Sequence, residues 1–195
     1  MPGQVRPIAD ERSGLLAFLA QQRYVMKIAA YGLTDEQARV PFGPSNLSVG
    51  GLIKHVATVE DGWIDIVLQQ PGDGDETDYE NGFRLLPDES LAGVLERYDE
   101  VAARTESVIA GIPDLDQDVP VPQGVPWFPD DVDAWSVRWV LLHLITETAR
   151  HAGHCDVARE LVDGATAFPL MAAVEGWPAT PWMEPWEPAA GPDAQ

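Results

Sequence analysis

Four long stretches of this chain repeat apolar residues with the 3.6-residue period of an α-helix, and none repeats them with the two-residue period of a strand over a useful length. The first, 9–30, carries Leu15, Leu16, Leu19 and Met26 and is closed by Gly32. The second, 48–69, opens at Ser48 as an N-cap and presents Leu52, Ile53, Val56, Val59, Trp63 and Val67. The third, 88–110, is striped by Leu91, Val94, Leu95, Tyr98, Val101, Ala102, Val108 and Ile109 before Gly111 and Pro113 stop it. The fourth, 136–162, starts at Ser136 and ends at Asp163-Gly164. Stripes of this kind bury only against one another, so the expected fold is an all-α four-helix bundle. A capping box over Thr34–Gln37 adds one short helical turn, after which Pro41, Gly43 and Pro44 force a loop.

The connections differ in kind. Pro71–Pro87, rich in Gly, Asp and Glu, reads as an exposed link, whereas the proline-rich and acidic loop Pro113–Asp133 is long enough to cover a site. After Phe168 the chain turns to alternating Trp and Pro (Gly176-Trp-Pro-Ala-Thr-Pro-Trp-Met-Glu-Pro-Trp186), which forbids a regular helix. The expected organisation is therefore a bundle over 1–168 and an extended strap over 169–195 packed on it by its tryptophans.

A length of 195 residues sustains one core, and a formal charge of -20 repels phosphate backbones and anionic lipid surfaces, which excludes nucleic acid and membranes as partners. No leader-like segment opens the chain and no apolar run is long enough to span a bilayer. With one cysteine, Cys155, no internal disulfide forms, and the expected location is the cytoplasm.

The chemistry concentrates on two of the predicted helices. His143, Glu147, His151 and His154 lie on the fourth, and His55, the remaining histidine, sits mid-way along the second. At about 100° and 1.5 Å per residue, Glu147 and His151 differ by about 40° in direction and about 6 Å in height, so both reach one ion. Polar groups on one helix face are ordinarily a solvated stripe. Here they are flanked by apolar residues, and an unpartnered His55 on an apolar helix is costly to bury. Two histidines and one carboxylate suit a divalent first-row ion with open positions: zinc first, then nickel, iron or manganese. His154 fits either a fourth ligand or a group behind the ligands, the latter preferred because of its height above Glu147. His143 reads as structural or as pocket wall, Cys155 as a small core residue, and Trp63 and Trp139 as pocket lining beside His154 or as core. Gly50 and Gly51 fit a close approach at the start of the second helix.

His55 in Gly-Leu-Ile-Lys-His55-Val-Ala, followed far downstream by Glu147-x-x-x-His151, resembles the DinB-like metalloprotein superfamily, in particular the metal-binding domain of mycothiol-dependent maleylpyruvate isomerases and related thiol transferases. The resemblance runs from the first to the fourth helix. It implies an up-down-down-up bundle, a metal between the second and fourth helices, and frequent homodimers. The glutamate at Glu147 is the isomerase-type choice, where many DinB-like members have histidine. The isomerases are similar over the bundle only and carry a further C-terminal domain. The expected function is a metal-dependent S-transferase or isomerase that activates a low-molecular-weight thiol, mycothiol-like, toward an electrophilic substrate; no catalytic acid or base is identifiable. The alternative is a non-enzymatic metal-binding or stress-related interaction protein.

Overall fold

A computed structural model describes residues 3–70 and 81–188. The elements follow as α1 (Glu11–Ala30), a single turn α2 (Asp35–Ala38), α3 (Val49–Val67), α4 (Leu91–Gly111), β1 (Asp118–Pro120), β2 (Ala134–Ser136), α5 (Val137–Asp163) and α6 (Ala167–Glu175). Every long helix begins at a polar side chain that satisfies an otherwise unpaired amide: Asp10 for α1, Ser48 for α3, Ser90 for α4 and Ser136 for α5. Such caps contribute about 1 kcal/mol each. The α2 capping box is reciprocal, with the Thr34 hydroxyl accepting from the Gln37 amide and the Gln37 side chain accepting from Thr34. The third predicted helix starts three residues later than expected, because the Ser90 hydroxyl caps it while the Leu91 amide is taken by the Asp35 carboxylate, 2.8 Å away.

The four long helices form the expected bundle, with α1 lying mainly against α5, α3 against α4, and α3 meeting α5. Met26, Leu52, Ile53, Tyr98 and Cys155 fill one end of the core, and Leu19, Val67, Ile109, Val140 and Leu144 the other. Complete burial of a large apolar side chain contributes about 1.5–3 kcal/mol. Between them a buried polar group crosses three helices: Arg23 of α1 donates to both Glu60 oxygens of α3 (2.5 and 3.0 Å), and Thr105 of α4 donates to Glu60 at 2.6 Å. Among the described residues no helix is long and apolar enough to cross a membrane.

Three expectations are corrected. The loop 113–133 is not plain: β1 within it pairs antiparallel with β2, Val119 opposite Trp135, and Val119 is fully buried. A pair three residues long is too short to show alternation in sequence. The link 71–87 falls partly outside the described residues, and its remainder is not all exposed. A one-turn 3-10 helix over Asn81–Phe83 leads to buried Leu85, and this segment crosses the start of α3, where a Cβ on Gly51 would overlap the Phe83 carbonyl. The glycine pair thus makes the close approach expected of it. Finally, the strap does not begin at 169, since 169–175 belong to α6. Pro169 is tolerated because it lies in the first turn, where amides lack intrahelical acceptors, and Leu170 is buried against Ile28 and Ala165. Past Gly176 the chain leaves helix and makes a tight turn between Thr180 and Met183, and it is only in part a packed strap: Trp186 meets Tyr31 edge-on at 5.8 Å and lies under the Arg159 guanidinium at 4.9 Å, whereas Trp182 is 76% exposed.

Candidate metal centre

Helix α3 carries His55 and helix α5 carries Glu147 and His151, and their packing brings the three side chains together. One donor atom from each lies within 4.8 Å of the other two. The Glu147 carboxylate oxygen Oε1 sits 3.0 Å from His151 Nε2 and 3.7 Å from His55 Nε2. The two imidazoles meet edge to face, centroids 4.9 Å apart. Phe83 lies flat on His55, centroids 3.8 Å apart and planes 20° from parallel, and also neighbours His151 at 6.4 Å. Sequence reasoning missed Phe83, because it lies in a connection without periodicity. The available signal was the glycine pair that admits it.

Burial sets the charge state of these rings. Desolvation, reinforced by the nearby His151 and only partly offset by the Glu147 carboxylate, lowers the His55 pKa to about 4. Desolvation lowers His151 as well, again against the pull of Glu147. Both imidazoles are therefore neutral at pH 7, the form that offers a lone pair to a metal. With Nε2 of His151 toward Glu147, its Nδ1 faces Nδ1 of His154 at 3.4 Å. His154 thus touches the back of His151 rather than the carboxylate. This donor set, neutral nitrogen, neutral nitrogen and carboxylate converging from two helices, fits a divalent first-row ion.

The other residues singled out in the sequence fall into two groups. Cys155 is fully buried in the core, and burial pushes its thiol pKa up, away from nucleophilic character. Trp63 and Trp139 do come together, 5.5 Å between centroids, in a larger aromatic cluster. Trp135, Trp139 and His143 stack nearly parallel at 4.8 and 5.2 Å, with interplanar angles of 9° and 2°. Trp63 packs across the stack, 5.1 Å from Trp135 and 4.6 Å from His143, and Phe128 closes on both Trp63 and Trp135. The contributions of Trp135 and Phe128 were invisible in sequence because the β1–β2 pair that seats them was. His143 is half-buried, its pKa lowered chiefly by desolvation.

Residues 14–164 match the family model of mycothiol-S-transferase, a span that contains α3, α4 and α5, α1 from Gly14 onward, the three converging donors and the aromatic cluster. No curated protein matches the chain. Among solved structures, one described as the conserved protein of locus from Enterococcus faecalis is similar at a TM-score of 0.63 and 15% identity, over 81% of this chain and 100% of that one. At that identity the likeness speaks for the bundle fold alone.

Proposed function

Since the chain belongs to the mycothiol-S-transferase family, within the DinB-like superfamily, we propose that it transfers a low-molecular-weight thiol of the mycothiol kind to an electrophile, in a reaction that depends on a divalent metal held by His55, Glu147 and His151. The observation that carries this reading is the convergence of the three donor atoms within 4.8 Å. A divalent ion held there would lower the pKa of a thiol bound to it and so supply a thiolate at neutral pH. The chain's own residues prepare for that in three ways. Burial keeps the two imidazoles unprotonated. Phe83 fixes the plane of His55. A metal bound at Nε2 would leave the His151 proton on Nδ1, which lies 3.4 Å from His154 Nδ1. The carboxylate leaves the whole centre near a charge of +1, which matches one anionic thiolate.

A metal held by these three ligands would have positions left for thiol and solvent, as a catalytic site needs, and His154 would orient His151 from behind. The test is to load the protein with zinc, nickel, iron or manganese and incubate it with mycothiol and a reactive alkyl halide. A conjugate that forms with metal and is lost with chelator is expected. Absence of metal-dependent conjugation with mycothiol, bacillithiol and glutathione alike would overturn the proposal and leave a non-enzymatic metal-binding protein.

A further inference from the structure

Cations are scarce in this chain, 12 Lys and Arg against 32 acids, so a cation left without a partner is informative. Most of them reach a carboxylate or a backbone carbonyl. Arg6, Arg84 and Arg150 reach neither among the described residues, and two of these three border the candidate metal centre. Arg84 directly follows Phe83, whose ring lies on His55, and Arg150 directly precedes His151. Both are exposed.

An arginine on a helix of an acid-rich chain is ordinarily neutralised by neighbours three and four residues away. Around Arg150 these are Thr146, Glu147, Gly153 and His154. The one acid among them is turned elsewhere, since the Glu147 carboxylate lies against His151 and His55. Gly153 brings no side chain, and the space where a Cβ would stand is open. At about 100° and 1.5 Å per residue, Arg150 lies about 60° from Glu147 around α5 and about 4.5 Å along it, on the flank of the face that carries the donors. Its charge is felt there, being among the causes that lower the His151 pKa. The net charge of -20 repels anions at a distance, but salt screens that field over about 10 Å, and contact is decided by the charges close by. With one thiolate cancelling the charge of an occupied metal centre, Arg150 would remain as an uncancelled positive group beside it. A guanidinium presents parallel N–H donors that match the two oxygens of a carboxylate.

We propose that Arg150 is a specificity-determining residue of this site and that the electrophile it selects carries a carboxylate, which pairs with the guanidinium while the reacting carbon faces the thiol. This rests on the transferase reading for the reacting centre. The carboxylate is assigned to the electrophile because mycothiol, an amide of N-acetylcysteine, has none of its own. With a halide as electrophile the reaction balances as a displacement: the thiol sulfur bonds to the carbon that bears the halide, the carbon–halide bond breaks with its electron pair, the halide leaves, and the thiol proton passes to solvent. Arg150 takes no part in those bonds and holds the substrate by its acid group.

Matched pairs of halides test it: iodoacetate with iodoacetamide, and N-iodoacetylglycine with its amide, which set the charge beside the reacting carbon or farther along a short chain. With metal-loaded protein and mycothiol, the ratio of kcat/KM for acid over amide is compared in the wild-type chain, Arg150→Gln, Arg150→Lys and, as a free cation in the segment before α1, Arg6→Gln. In at least one pair the ratio should fall about tenfold or more in Arg150→Gln, the scale of a charge-assisted hydrogen bond. It should recover in part in Arg150→Lys, which keeps the charge without the fork, and stay put in Arg6→Gln. Binding is read separately by NMR: the Arg150 guanidinium resonance of the zinc-loaded protein should shift with N-acetylglycine and not with N-acetylglycinamide. A ratio unchanged by Arg150→Gln in both pairs, an equal fall in Arg6→Gln, or a guanidinium resonance untouched by N-acetylglycine would overturn the carboxylate seat while leaving the transferase standing. If Arg150→Gln instead slows glutathione relative to mycothiol and leaves the acid-to-amide ratio alone, the guanidinium serves the thiol, and the assignment to the electrophile falls. A shift with N-acetylglycine but no conjugation of any halide would overturn the transferase and with it the role of substrate, leaving a carboxylate site. Neither shift nor conjugation would remove both.

Discussion

Helix α3 contributes a buried acid to one polar cluster and a buried histidine to another, and the two clusters are built on opposite terms. Around Glu60, which is 1% exposed, the acid receives two hydrogen bonds from Arg23 and one from Thr105, so charge and hydrogen-bonding capacity are closed within the protein. Around His55 the two imidazoles are driven neutral by burial and converge with the partly exposed Glu147 carboxylate, so lone pairs point at a common space. A cluster that satisfies itself holds helices together. One whose acceptors outnumber its donors is prepared for a cation.

The largest expected effect breaks the first cluster. Glu60→Ala leaves the buried Arg23 guanidinium with only the half-exposed Glu106 carboxylate as an ion partner, and should cost about 3 kcal/mol in urea unfolding while the folded fraction still takes up metal. His151→Ala should show the reverse pattern: metal affinity falls by at least about a hundredfold, beyond what loss of a supporting group costs, and the metal-free bundle unfolds within about 1 kcal/mol of the wild type. Elemental analysis after dialysis and the same urea titration check both halves. His154→Ala sharpens the distinction further. If His154 supports His151 from behind, affinity drops about tenfold and the stoichiometry of bound metal is kept; complete loss of metal would make His154 a ligand.

A further effect is one of pH. The His55 pKa in the folded, metal-free chain, about 4, is below its unfolded value of 6.5, so the unfolded chain takes up this proton first as pH falls. The contribution of neutral His55 is complete above pH 6.5 and is lost progressively as pH drops from there toward about 4. His55→Phe, which removes the titration, should therefore give a shallower decline in unfolding free energy between pH 6.5 and 5 than the wild type. Parallel declines would count against the burial argument for His55.

Much of this was legible in the chain itself. The periodic stripes marked the four long helices to within three residues at every end, and Ser48, Ser136 and the Thr34–Gln37 box marked true helix starts, because caps and periodicity are local properties. The spacing of Glu147 and His151 put both on one face for the same reason. What escaped was non-local. The β1–β2 pair is three residues long, α6 hides a proline in its permissive first turn, and the Phe83 turn and Trp135 gain their places only from contacts with residues far along the chain.

The amino-acid sequence by itself determined an all-α bundle, its caps, and a His/Glu face on the last long helix, since each follows from the 3.6-residue repeat and the chemistry of neighbouring residues. Only the tertiary structure decided that His55 meets that face and that Trp63, Trp135 and Trp139 join one aromatic cluster. Those relations depend on how α3, α5 and the loop before it pack, and packing direction is set by the sum of many side-chain contacts that no local spacing encodes.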